Sequence, residues 1–240
     1  MGSNPTPSAN ALGAGAAART VCRVHRSVIV TLLAATSLAF GLSAPAIART
    51  PGASSKAIAA SAFLKAGDFP SEAGWAVGKP PSSNPPSGPS CGLINRVLTK
   101  YKKYRFHSPR FTNGNASATD TVYVFPSVKD AKRYLAAFKN ADAKKCLLQD
   151  AQAAVDSKTT VRITDIDTSG IGDDGVGFAV QVTSPNAQGG TDILAIDAPG
   201  YRVGRVFVGF TFQSLDEPLD IQTQLVRASI NRLKRALARG

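Results

Sequence analysis

The apolar positions of this chain change period along its length, and those changes mark its elements. In the Ala-rich segment from Ser55 to Ala66, Ile58, Ala62, Phe63 and Ala66 fall close to helical spacing. The segment stops at Gly67, which predicts a short amphipathic helix. Asp68-Phe69-Pro70 then turns the chain towards Trp75, the only tryptophan, read as an anchor of the core or of a lid. From Gly78 to Ser90 prolines and serines dominate and no large apolar side chain occurs, so a solvated flap is expected there. Leu93, Ile94, Val97, Leu98 and Tyr101 place one apolar face on a helix that starts near Cys91.

Strand signals follow. Thr121-Val122-Tyr123-Val124-Phe125 is β-branched and aromatic throughout, predicting a strand over 117–126 with both faces partly covered. Ser127 caps the next helix with Asp130 three residues on, and Val128, Ala131, Leu135 and Phe138 form its apolar stripe. Helical spacing resumes around Cys146 and runs to Val155. Beyond Lys158 the period falls to two. Val161 and Ile163 open one strand, Val176 to Val182 alternates in the next, and Ile193 to Ile196 makes a third. The fourth, Tyr201 to Ser214, sets Val206, Val208, Phe210 and Phe212 against Arg205, Gly209, Thr211 and Gln213. A last helix opens at Asp216-Glu217-Pro218, with Val226, Ile230, Leu233 and Leu237 inward and a basic end that complements its dipole. Together these elements predict an α+β fold. The expected architecture is one domain, an antiparallel sheet of about five strands with helices on one face.

One apolar run precedes all of this. Arg19, Arg23 and Arg26 lead into an uncharged stretch from Ser27 to Ser43, and Ala44-Pro45-Ala46-Ile47-Ala48 supplies a small-residue cleavage site. That is the layout of a secretory signal peptide over residues 1–48, with a mature chain from Arg49, a flexible lead over 49–54 and the domain over 55–240. An uncleaved single-span anchor is the alternative. Export changes how the cysteines read. Cys22 lies inside the signal, leaving Cys91 and Cys146 as an even pair in an oxidising compartment, so a disulfide stapling two helices is the default.

Charge narrows the partners. The chain carries a formal +12, and without residues 1–48 it retains 25 basic against 16 acidic side chains, a net +9. Outside a cell the available polyanions are envelope polymers and lipid headgroups rather than nucleic acid. Two basic surfaces are the candidates for such peripheral contacts: Lys100, Lys102, Lys103, Arg105 and Arg110, interleaved with aromatics, and Arg232, Lys234, Arg235 and Arg239 on the last helix. Asn115-Ala116-Ser117 is a glycosylation sequon with meaning only in a eukaryotic source, and the composition reads as bacterial.

Catalytic parts are scarce. His107 is the only histidine beyond the signal, and neither G-x-S-x-G nor H-E-x-x-H occurs; the histidine itself reads as exposed in a basic patch. The acidic loop from Asp165 to Val176 mimics an EF loop, yet its twelfth position is Val176 where a bidentate carboxylate is needed. Its Gly170-x-Gly172-x-x-Gly175 has dinucleotide spacing, but Asp173 and Asp174 would face the pyrophosphate and a strand follows in place of a helix. A tight acidic turn remains. No cofactor or metal is expected.

With these residues in view, the chain resembles the extracellular sensor domains of actinobacterial serine/threonine kinases of the PknH type and their stand-alone secreted relatives. The resemblance is carried by Asp68-Phe69-Pro70, Gly74-Trp75, Cys91, Val124-Phe125 with Asp130-Ala131, Cys146, Ile171-Gly172-Asp173-Asp174 and the closing Ala-rich helix. It implies an antiparallel sheet packed by helices around a cleft, and binding or sensing of an undefined ligand. The chain departs from the pattern in having one cysteine pair where such domains commonly have two disulfides, and in having no kinase domain. The expectation is thus a secreted, non-catalytic binding domain at the cell envelope. A hydrolase of envelope polymers working through unrecognised carboxylates and a protein–protein scaffold are the alternatives; carboxylates converging in a cleft would favour the first, an apolar pocket without them the binding domain.

Overall fold

The structure, a computed structural model, describes residues 54–81 and 91–239. The expected signal peptide and the lead up to residue 53 lie outside the described residues, as does most of the Pro/Ser-rich flap, 82–90. Five helices are described: α1 (Ser55–Ala62), α2 (Gly92–Tyr101), α3 (Val128–Lys139), α4 (Ala141–Ala153) and α5 (Gln222–Ala238). The strands are β1 (Ala76–Gly78), β2 (Arg105–His107), β3 (Arg110–Asn113), β4 (Ala116–Val124), β5 (Thr160–Asp165), β6 (Asp174–Pro185), β7 (Thr191–Val203) and β8 (Val206–Leu215).

All pairings are antiparallel, in the order β1-β3-β4-β8-β7-β6-β5, with β2 beside β4 where β3 leaves off. The sheet therefore has eight strands, not about five. Strands β1, β2 and β3 are three or four residues long, too short for an alternation to show. The expected strand from Tyr201 to Ser214 is in fact the end of β7 and the whole of β8, joined by a two-residue turn at Gly204-Arg205. Gly204 has φ 56°, as a hairpin with glycine at its first loop position requires. Pro199 lies inside β7, where a missing N–H is usually excluded. The pairing with β8 lapses there, running from Leu194 to Asp197 and resuming at Gly200.

Helices cover both faces, which corrects the one-sided packing expected. Alternation along β4 and β8 divides the core. Ala118, Val122, Val124, Val206, Val208, Phe210 and Phe212 face α1 and α5, whose Ile58, Ala62, Leu225, Ile230 and Leu233 are buried against them. Tyr123 and Phe207 point the other way into an aromatic cluster with Ile94, Leu98 and Tyr101 of α2 and Tyr134 and Leu135 of α3. Trp75 is half-buried and packs on Phe69, which stacks on Phe111 at 4.5 Å between ring centres.

Caps set the helix limits. Ser54 accepts from Ala57 N, Ser127 from Asp130 N and Asn140 from Asp142 N. Helix α1 ends at Ala62, one turn earlier than its periodicity suggests, because Phe63 turns extended and Leu64 N donates to Asp120 Oδ1 at 3.0 Å. Helix α5 begins at Gln222, not at Asp216. Asp216 takes a positive φ of 71° and its N–H donates to Ile193 O, so residues 216–221 form a connector. Cys91 and Cys146 form a disulfide with Cα atoms 5.7 Å apart, tying the N-cap of α2 to the middle of α4. Among the described residues no helix is long and apolar enough to cross a membrane.

Candidate functional site

A concavity lies between the helices and a row of the sheet that carries two glycines. Antiparallel register aligns His107, Thr121, Gly209, Gly200 and Val176 across β2, β4, β8, β7 and β6. A side chain at Gly200 would meet the Phe207 ring at 2.3 Å, so glycine there lets that ring lie against the strand. Beside this row, Thr211, Ala198 and Phe178 continue the floor, and the lapse in β7–β8 pairing at Ala198 and Pro199 falls within it. Leu98, Tyr134, Phe138 and Leu147 from α2, α3 and α4 form the roof. The cleft holds about 970 Å³ counting its solvent-open part, of which the centres of water-sized molecules reach about 100 Å³.

Its chemistry is apolar. Thr121, Tyr123, Tyr134 and Thr211 are the polar side chains of the lining, and no carboxylate, lysine or arginine belongs to it. Burial pushes the Tyr123 phenol up and Tyr134 well above the usual tyrosine range, so both stay neutral. The acidic loop supplies nothing to the cleft. Asp173 Oδ2 accepts from Gly204 N at 2.7 Å and Arg202 Nη1 at 3.1 Å; Asp174 pairs with Lys139 and Asp165 with Lys144. These carboxylates pin the β7–β8 turn and the roof helices to the sheet. Among the described residues no three His, Cys, Asp or Glu side chains gather as a metal site would need.

The residues expected as anionic contacts are scattered. Lys100 and Lys103 are exposed and Lys102 half-buried at the end of α2, while Arg110 is half-buried on β3. Arg232 is engaged: its guanidinium grips Asp68 with both Nη atoms and also donates to Phe63 O and Ser61 O. Lys234 donates to Ile171 O, and Arg235 and Arg239 are exposed. Arg105 alone comes near the cleft, across from Tyr123 on the neighbouring strand. His107 is not exposed, as its neighbours suggested. It pairs with Thr121, Nδ1 to Oγ1 at 3.1 Å, and burial followed by the Arg105 charge lowers its pKa to about 4, leaving it neutral at pH 7.

A cleft was expected from the resemblance, but its lining residues were hidden because the hairpin was. Gly200 and Gly209 stand four residues out on either side of Gly204-Arg205, so a turn placed there puts them opposite each other. Continuous alternation from Tyr201 to Ser214 hid the turn.

No protein-family model matches the chain, and no curated protein matches it. Among solved structures, the extracellular domain of PknH from Mycobacterium tuberculosis is similar, with a TM-score of 0.42 and 14% identity. The match covers 74% of this chain and 95% of that one. At that score the likeness carries no part of the functional reading, which rests on the cleft.

Proposed function

We propose that this chain is an exported, non-catalytic binding domain that takes an apolar molecule into the cleft between its sheet and the layer of α2, α3 and α4. One observation carries the reading: this cleft is lined mainly by aliphatic and aromatic side chains and has no carboxylate, histidine or thiol in its lining. Small-molecule sites are mostly apolar with a few placed polar groups, whereas hydrolysis of a glycosidic polymer calls for two carboxylates facing a common space. The exposed lysines and arginines outside the cleft suit weak, salt-screened contact with an anionic envelope polymer or lipid surface.

The test is a titration with N-phenylnaphthylamine, an uncharged fluorophore that brightens in apolar surroundings. Wild type is expected to bind it saturably at one site. Ala198→Phe and Thr211→Phe, which place a ring on the cleft floor, are expected to weaken binding about tenfold or more without loss of fold by circular dichroism. Equal binding by folded variants rejects the cleft as the site.

A further inference from the structure

The cross-sheet row that makes the cleft floor ends on β2, at nitrogen atoms with nothing to bond. His107 Nε2 and Arg105 Nη1 are buried without a hydrogen-bond partner, two residues apart on one strand and so on the same face. That face is the cleft's own, since His107 lies opposite Thr121 and Arg105 opposite Tyr123, both of which line it. We infer that the cleft takes an amphiphile with an anionic head and one long apolar tail, the head held by Arg105 with His107 beside it and the tail lying along the floor over the Phe207 ring that covers Gly209 and Gly200.

The inference rests on the cleft being a binding site and adds the chemistry of what enters it. A guanidinium keeps its charge when buried and has only donors, so its unmet N–H calls for an acceptor, and an anion is the acceptor that also answers the charge. No Asp or Glu fills that role: the ion pairs of the described residues engage Lys139, Lys144, Arg202 and Arg232. The charge of Arg105 acts on the hydroxyls of Tyr123 and Tyr134, both neutral, and on His107, whose proton it helps to expel. Apart from Thr121 and Thr211, the rest of the roof and floor is mainly hydrocarbon, with Leu98, Phe138, Leu147, Val176 and Phe178. A cation would meet the guanidinium, a wholly apolar molecule would leave both nitrogens unmet, and a small inorganic anion would leave the floor bare. A carboxylate and a phosphate monoester share the chemistry that fits.

The experiment compares dodecanoate, dodecyl phosphate and dodecanol, which share one tail, by displacement of N-phenylnaphthylamine from the purified protein at pH 7. One or both anionic amphiphiles are expected to bind at least about tenfold tighter than dodecanol, the better of the two naming the head. Arg105→Gln is expected to bring the three to similar affinity with dodecanol unchanged. In the wild type, the His107 ring signals followed by NMR are expected to titrate at higher pH with the anionic amphiphile bound than with dodecanol, because the head offsets the charge of Arg105. That readout needs no variant to fold. Equal affinity for all three amphiphiles, or an unmoved His107 titration, overturns the anionic head while the apolar cleft stands. Failure of all three to displace the fluorophore overturns both.

Discussion

A carboxylate buried beside the N–H of Leu64 ties the end of α1 to β4, and its burial works against ionisation. Asp120 is 1% exposed; Oδ1 accepts from Leu64 N, and Oδ2 is buried without a partner. Burial raises its pKa to about 7, over the opposing pull of the bonds from Ser108 and Leu64 and the charge of Arg232, with Asp68 adding to the rise. An unfolded aspartate titrates near ~4, so between ~4 and about 7 the folded protein holds the extra proton. This contribution to stability is complete below ~4, falls as pH rises and is gone above about 7. Asp120→Asn keeps an acceptor for Leu64 and cannot ionise. In urea unfolding from pH 4 to pH 8 the variant is expected to gain on wild type steadily, by up to ~4 kcal/mol, and parallel pH profiles would contradict this. The period of two was legible here: Ala118, Asp120, Val122 and Val124 alternate onto one face, so the strand itself points Asp120 inward. What stayed hidden was the partner, since Leu64 lies 56 residues away.

At the scale of elements, local patterns were reliable where one element buries one stripe. Ser127 caps α3 as its spacing indicates, β8 buries Val206, Val208, Phe210 and Phe212, and Cys91 meets Cys146. Patterns failed where tertiary contacts decide, as with the two helical layers. Helical residues show which side is apolar, not which face of the sheet that side will meet. Arg232 is the clearest case. Along α5 it is one basic residue among several, yet it alone faces α1 and the turn at Asp68, with side chains 19% and 10% exposed in the pair. Arg232→Ala leaves Asp68 without its cation and two carbonyls without their donor. It is expected to destabilise the protein by ~3 kcal/mol in thermal or urea unfolding, while Arg235→Ala, one turn face away and exposed, changes little. Equal effects of the two substitutions would reject the clamp.

The whole molecule is a sheet with helices on both sides whose two layers differ. The α1/α5 side is closed by Phe210, Phe212 and the Arg232–Asp68 pair, and the α2/α3/α4 side holds the open cleft. The disulfide belongs to the cleft side, where it links two of the three roof helices across 55 residues of sequence. Closing a loop of that length restricts the unfolded chain by ~4 kcal/mol in the chain-entropy picture, which suits a layer that must stay in place over a cavity it does not fill. The sequence showed this layer's helices and their bridge; it did not show the space beneath, which depends on register among five strands. The central claim is that an apolar molecule occupies that space. The most direct measurement is of intermolecular nuclear Overhauser effects between the methylene protons of bound dodecanol and the protein. Contacts to Phe178 on the floor together with Tyr134 and Phe138 on the roof are expected, since only a molecule between the layers touches all three. Contacts confined to side chains outside the cleft would contradict the account.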